Sequence, residues 1–190
     1  LDFAMHGLYV ASDEDEAKYP DFLRKAGKRL AKAQRKLSKK LKGSHNREKQ
    51  RLRVAILHEK VANQRRDFLH KKARYLADRY DVIGIEDISV KAMAKRKKGG
   101  KFSFGKSVAD NGWNMFTNML EYKLAWQGKK LIKIDKWYPS SQLCHVCGYQ
   151  NHETKDLSVR EWDCPKCGSH HNRDKNAAIN IREEARRISA

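Results

Sequence analysis

Over residues 1–19 apolar and polar positions change in short bursts. Residues 1–5 and 8–11 read as strands separated by His6-Gly7, and 17–19 as a third after the acidic turn at 12–16. Two hairpins in succession predict one edge of an antiparallel meander. From Pro20 to 79 the period becomes helical. Leu23, Leu30 and Leu37 recur at seven-residue spacing before Gly43-Ser44-His45-Asn46 interrupts. A longer helix follows, with the columns Val54/Val61/Phe68/Tyr75 and Ala55/Ala62/Leu69/Leu76 forming one apolar stripe.

The pattern then shortens again. Residues 81–88 are nearly all apolar until Glu86-Asp87, as in a strand buried on both faces. Glu86 sits toward its carboxyl end, where open α/β sheets place ligands. Residues 91–106 are rich in lysine with Gly99-Gly100 and Gly105, the composition of a mobile basic loop. A helix is expected over 107–127, with Trp113, Phe116, Leu120 and Leu124 as core packing and Gly128 as its stop. Residues 130–137 alternate as a strand, with Ile132 and Ile134 on one face and Asp135 on the other. Asn172 is placed to cap a last helix carrying Ala177, Ala178, Ile181 and Ala185.

Charge narrows the function. The 190 residues contain 42 Lys+Arg against 23 Asp+Glu, a formal +19, which points to a polyanion because basic side chains release counterions from phosphates. The outer faces of the two helices over 20–79 concentrate this charge, with Arg29, Lys32, Lys36, Lys40, Lys49 and Arg53 among others. A solvated face is the plain alternative; the near-absence of acids there favours phosphate contact. No basic segment has the wide apolar face and Trp anchors of a membrane-surface helix, and no apolar run reaches the roughly 20 residues of a membrane span. No signal peptide precedes Leu1, and a chain starting at Leu1 rather than Met reads as processed or cut from something longer.

All four cysteines fall in two CxxC pairs, Cys144/Cys147 and Cys164/Cys167, with sixteen residues between them and a glycine after each. That is the spacing of a zinc ribbon: two knuckles offer four thiolates to one tetrahedral ion, closing its coordination so that the metal is structural. Disulfide pairing is the alternative. His145, His152, His170 and His171 are then surplus to the metal and read as surface or nucleic-acid contacts. Asp2, Glu86 and Asp174 fall at a first strand, a strand end and a helix start. Alone, Asp2 reads as a solvated residue and Glu86 as a cap or ion-pair partner. Brought together, the three carboxylates would hold hard divalent ions suited to phosphodiester hydrolysis.

The order of short hairpins, long basic helices, Ile85-Glu86-Asp87, Pro139-Ser140-Ser141-x-x-Cys144, the paired CxxCG motifs and Arg173-Asp174-x-Asn176-Ala177-Ala178-x-Asn180 resembles TnpB/OrfB. These are transposon-encoded RNA-guided DNA endonucleases related to type V CRISPR effectors, and the resemblance covers the carboxyl-terminal half of a typical member. It implies an α/β fold, an RNase H-like (RuvC-like) mixed sheet with a long basic helical insertion and an inserted zinc ribbon. The implied layout is a nuclease core over 1–138 with the helical hairpin at about 20–79, the ribbon over 139–170 and a final helix over 171–190. It further implies catalytic Asp2, Glu86 and Asp174 holding Mg²⁺ or Mn²⁺, structural zinc on the cysteines, DNA as substrate, guide RNA for the longer parent, and a cytoplasmic, nucleoid-associated setting. Two other readings stand beside it. One is an inactive nucleic-acid-binding remnant or regulator using the ribbon and basic helices. The other is a DNA strand-transferase, disfavoured by the ribbon directly ahead of the third acid.

Overall fold

A computed structural model describes residues 1–4, 7–13, 15–88 and 112–190. The basic loop expected at 91–106 lies outside the described residues, as does 107–111 of the expected helix. The chain divides into two compact units, Leu1–Tyr19 with Ala73–Ala190, and Pro20–Lys72.

In the larger unit the expected meander forms from very short strands. β1 (Asp2–Phe3), β2 (Tyr9–Val10) and β3 (Glu16–Ala17) pair antiparallel, with Asp2 opposite Val10 and Tyr9 opposite Ala17. Leu8 and Tyr9 are fully buried, and Phe3 meets Trp113 edge-on at 5.3 Å. β4 (Val82–Glu86) and β5 (Lys130–Ile134) pair in parallel, which sets Glu86 opposite Ile134. Between them in sequence runs α3, observed as Trp113–Trp126, with Trp113, Phe116, Leu120 and Leu124 all buried. Gly112 precedes it in the left-handed region (φ 73°).

In place of the single mixed sheet of the expectation, the described residues show two small sheets, β1–β2–β3 and β4–β5, with a third pair of strands in the cysteine segment. β1 is too short to build a ladder with β4; one hydrogen bond, from the Leu1 nitrogen to the Gly84 carbonyl at 2.6 Å, ties them. Burial of β4 on both faces holds at its centre only. Ile83 and Ile85 are buried on one side, while Val82 at the strand start is 47% exposed. On the other side α4 (Arg173–Ser189) lies so close that a Cβ on Gly84 would stand 2.6 Å from Ala185 Cβ. Ile134, Ile181 and Ala185 form a core cluster joined by Ile132 and Tyr138.

The final helix begins at Arg173 rather than 171. Residues 170–172 pair instead as β7 (His170–Asn172) with β6 (Glu161–Asp163), and extended backbone cannot also be helix. Asn172 caps α4 as expected, its side chain accepting from the Asp174 and Lys175 amides at 3.2 Å each.

In the smaller unit, α1 (Phe22–Ser38) pairs with the first part of α2 (His45–Arg79), whose last turns belong to the larger unit. Only part of the expected stripe faces inward. Gln50, Val54, Leu57, Val61 and Phe68 are buried or half-buried, whereas Ala55 and Ala62 are exposed. A straight helix drifts about 20° per heptad, so a strict seven-residue column cannot stay on one face of it. Arg47 closes α1 by donating to the Leu37 and Lys40 carbonyls (3.0 and 3.2 Å), and buried Gln50 donates to the Ala33 carbonyl at 3.0 Å.

Candidate functional site

Two sites stand in the larger unit. In the ribbon, the chain turns tightly after each CxxC pair. Gly148 and Gly168 take φ of 73° and 74°, and their amides donate to the Cys144 and Cys164 carbonyls at 2.8 Å. Only glycine adopts that conformation without steric cost. The four cysteines are unbridged, and their sulfurs all lie within 4.8 Å of one another. The pairs Cys144–Cys167 and Cys147–Cys164 are 3.6 Å apart. A tetrahedral zinc with bonds of about 2.3 Å spaces its sulfurs about 3.8 Å apart, so the donor set and geometry fit zinc and not a disulfide. The Ser169 hydroxyl, 3.3 Å from Cys167 Sγ, and the Ser169 amide pull the Cys167 pKa down to about 6, favouring the ligating thiolate.

The histidines divide in a way their sequence does not announce. His171 is only 2% exposed, stacks near Trp162 (4.7 Å) and sets Nε2 3.1 Å from Cys144 Sγ, where an imidazole N–H can donate to the thiolate. Burial, with His145 next, lowers its pKa and keeps it neutral. It backs the cysteine cluster and is not a surface residue. His170 remains exposed beside Asp163 at 2.8 Å.

The second site is a cleft of about 920 Å³ lined by Asp2, Glu86 and Asp174 together with Tyr138, Ser140 and Arg160. Asp2 comes from β1, Glu86 from the carboxyl end of β4 and Asp174 from the first turn of α4. Burial, then the charges of Glu86 and Asp174, push the Asp2 pKa up to about 8. Burial also raises that of Glu86, against a hydrogen bond from the Ser140 hydroxyl. Among the described residues it is the cysteines, not these acids, whose donor atoms close to ligating distance of one another. Instead Asp174 Oδ2 is held 3.2 Å from Arg160 Nη1. A recessed trio of oxygens that repel one another suits a hard divalent cation, which would neutralise them. The Asp135 carboxylate serves the backbone, its Oδ1 accepting from the Trp137 amide at 2.7 Å.

A buried polar clamp joins the two sites. Asn176 donates to the Leu143 carbonyl at 2.6 Å and accepts from the His145 amide at 3.1 Å. Asn180 donates to the Ser140 and Leu143 carbonyls at 2.8 and 2.7 Å. Ser140, Asn176 and Asn180 are all buried, and the Arg173 amide donates to the Arg160 carbonyl at 2.8 Å. The first zinc knuckle, the Glu86 partner and the helix bearing Asp174 are thus one hydrogen-bonded body. Ser140, Asn176 and Asn180 stood in motifs noticed in the sequence without a role; nothing local singled out Arg160.

Residues 1–97 match the family model described as “Probable transposase”, of the OrfB type found in IS605 elements, and residues 113–181 match “Cas12f1-like, TNB domain”. The chain belongs to the TnpB/OrfB family. Two relatives bear the name “Putative RNA-guided DNA endonuclease”. One, from Streptomyces pristinaespiralis, is 41% identical over 95% of this chain and 43% of its own length. The other, InsQ from Escherichia coli K12, is 34% identical over 95% of this chain and 47% of its own. A Cas12f1 solved with guide RNA and target DNA shares the fold at TM-score 0.61 and 22% identity, over 95% of this chain and 48% of that one. This TnpB/OrfB chain therefore spans less than half the length of these relatives.

Proposed function

We propose that this chain is the RuvC-like, RNase H-like nuclease portion of an RNA-guided, transposon-associated DNA endonuclease, hydrolysing DNA phosphodiesters with two divalent ions held by Asp2, Glu86 and Asp174. The observation that carries the reading is the convergence of three acids, 172 positions apart at the extremes, on one cleft where burial, and then the charges of Glu86 and Asp174, raise the pKa of Asp2. The relatives' names and the Cas12f1 fold support it at family level.

In this reading Mg²⁺ or Mn²⁺, when bound, would activate the attacking water and stabilise the leaving oxygen. The chain's own residues do the rest. Ser140 holds the Glu86 carboxylate in one orientation, and Asn172 fixes the start of α4 so that Asp174 projects from its first turn. Arg160 stands 3.2 Å from Asp174 Oδ2 on the cleft wall, and its guanidinium would be placed to meet the scissile phosphate were Asp174 to hold a cation. The zinc on Cys144, Cys147, Cys164 and Cys167 is structural. Guide RNA belongs to the longer parent, in a cytoplasmic, nucleoid-associated setting; among the described residues no helix is long and apolar enough to cross a membrane.

The test is Mg²⁺- or Mn²⁺-dependent hydrolysis of single-stranded DNA by the chain and its longer parent, against Glu86→Ala and Asp174→Ala. Equal cutting by parent and variants would sink the reading. An inactive nucleic-acid-binding regulator is the second reading, favoured by the helical unit. There Arg29, Lys32, Lys36, Lys40, Lys49 and Arg53 line two adjoining grooves, and none of them is in an ion pair among the described residues. Binding that is steeply salt-dependent and unchanged when the acids are removed, with no hydrolysis by the parent, would select it.

A further inference from the structure

The turn after β5 holds two adjacent aromatics with opposite fates. Tyr138 packs on the Ile134–Ile181–Ala185 cluster. Trp137 is 81% exposed, yet it lines the cleft that holds the three acids. Its backbone is fixed, because Asp135 Oδ1 accepts from the Trp137 amide at 2.7 Å and the Asp135 carbonyl accepts from the Tyr138 amide at 3.0 Å. Lys136 Nζ stands 5.2 Å from the centre of the Trp137 ring. Lys18, Arg160 and Arg173 line the same cleft.

A single exposed aromatic is ordinary on a protein surface. This one is an indole carried on a hydrogen-bonded turn with a cation at its ring, in a cleft that mixes basic residues with a candidate metal trio. Trp126 shows the contrast. It is 78% exposed but packs on Tyr122 at 4.6 Å and does not line the cleft. We propose that Trp137 is a stacking platform for one unpaired base of a single-stranded nucleic acid entering the acidic cleft, with Lys136 contacting the adjoining phosphate. Every base offers a π-face and every nucleotide a charge, so the platform takes single strands without regard to sequence and rejects duplex, whose bases are already stacked. The identity of the strand as substrate rests on the nuclease reading; the stacking itself does not.

The experiment measures affinity for a short oligothymidylate in buffer without Mg²⁺ or Mn²⁺ and without chelator, so that zinc is retained and nothing is hydrolysed, by competition against a labelled strand. Trp137→Ala is expected to lose roughly tenfold, Trp137→Phe to keep most of the affinity, and Trp126→Ala to match wild type. An abasic strand of the same length should bind wild type and Trp137→Ala equally. Equal oligothymidylate affinity for wild type and Trp137→Ala, or an equal loss on the abasic strand, overturns the platform. So does failure of the wild type to bind the oligothymidylate at all. Loss of base-dependent affinity in a protein that never cuts DNA would uphold the platform while removing the nuclease reading.

Discussion

The cysteine cluster and the acidic cleft each gather donors suited to a metal, and they do so in opposite ways. In the ribbon, four donors of one type come from two knuckles with the same backbone, and their sulfurs all lie within 4.8 Å of one another. Its second layer is local as well: Ser169 beside Cys167 and His171 beside Cys144. In the cleft, three donors come from residues 2, 86 and 174, and each has something else to do. Asp2 is pushed toward its neutral form, Glu86 accepts from Ser140, and Asp174 faces Arg160. A closed site can be permanent and structural. A site whose ligands are otherwise engaged, and which opens on a cleft, suits ions that come and go with substrate.

The largest effect should come from the ribbon. Chelation, or Cys164→Ser, is expected to unfold residues 139–172, because zinc binding of about 10 kcal/mol or more substitutes for a core the segment lacks. Zinc content and the fluorescence of Trp162 report it. The same chelator treatment replaced by Mg²⁺ depletion should leave the ribbon folded. Next, Glu86→Ala and Asp174→Ala should each cost about a hundredfold or more in hydrolysis, matching the several kcal/mol that metal ions supply to the transition state. Zinc content should not change in either variant.

A pH titration of stability without divalent ions would sharpen the contrast. Asp2 has a pKa of about 8 when folded against the ordinary 3.8 of a free side chain. Its contribution is therefore fully present below about pH 4 and is lost as pH rises toward 8, a decline on the order of a few kcal/mol. Added Mg²⁺ should flatten that decline, and Asp2→Asn should abolish it; denaturant midpoints measure both. Gly84→Ala should cost about 1–3 kcal/mol by pressing on Ala185, since an overpacked contact must move backbone or helix. It leaves zinc bound.

The smallest effect speaks to the clamp between the two sites. Ser140→Ala frees Glu86 and should weaken Mn²⁺ binding about tenfold by calorimetry, the scale on which a ligand's own hydrogen-bond partner acts. Zinc content and melting temperature should hold, and Ser140→Thr should restore much of the affinity. If Mn²⁺ affinity is unmoved, the clamp is only packing and the two sites are independent.

Much of this was readable from residue order. The two CxxCG knuckles, the Asn172 cap and the Ile132/Ile134 face are short-range patterns, and each formed as its local chemistry requires. What misled was also local. His171 looked like one more surface histidine in a polar segment, and Ala55 and Ala62 looked like part of a stripe. Their burial depends on partners that their neighbours in sequence do not reveal.

The cysteine spacing, the basic balance and most of the helices and strands were legible in the sequence itself, because thiolate spacing, charge and periodicity act over a few residues. The tertiary structure decided that Asp2, Glu86 and Asp174 share a cleft, that Arg160 holds Asp174, that Asn176 and Asn180 bind the ribbon to the last helix, and that Trp137 stands bare beside them. Those facts arise from close approach of segments far apart in the chain. Their energies come from burial and from charges placed near one another, and neither exists until the chain is folded.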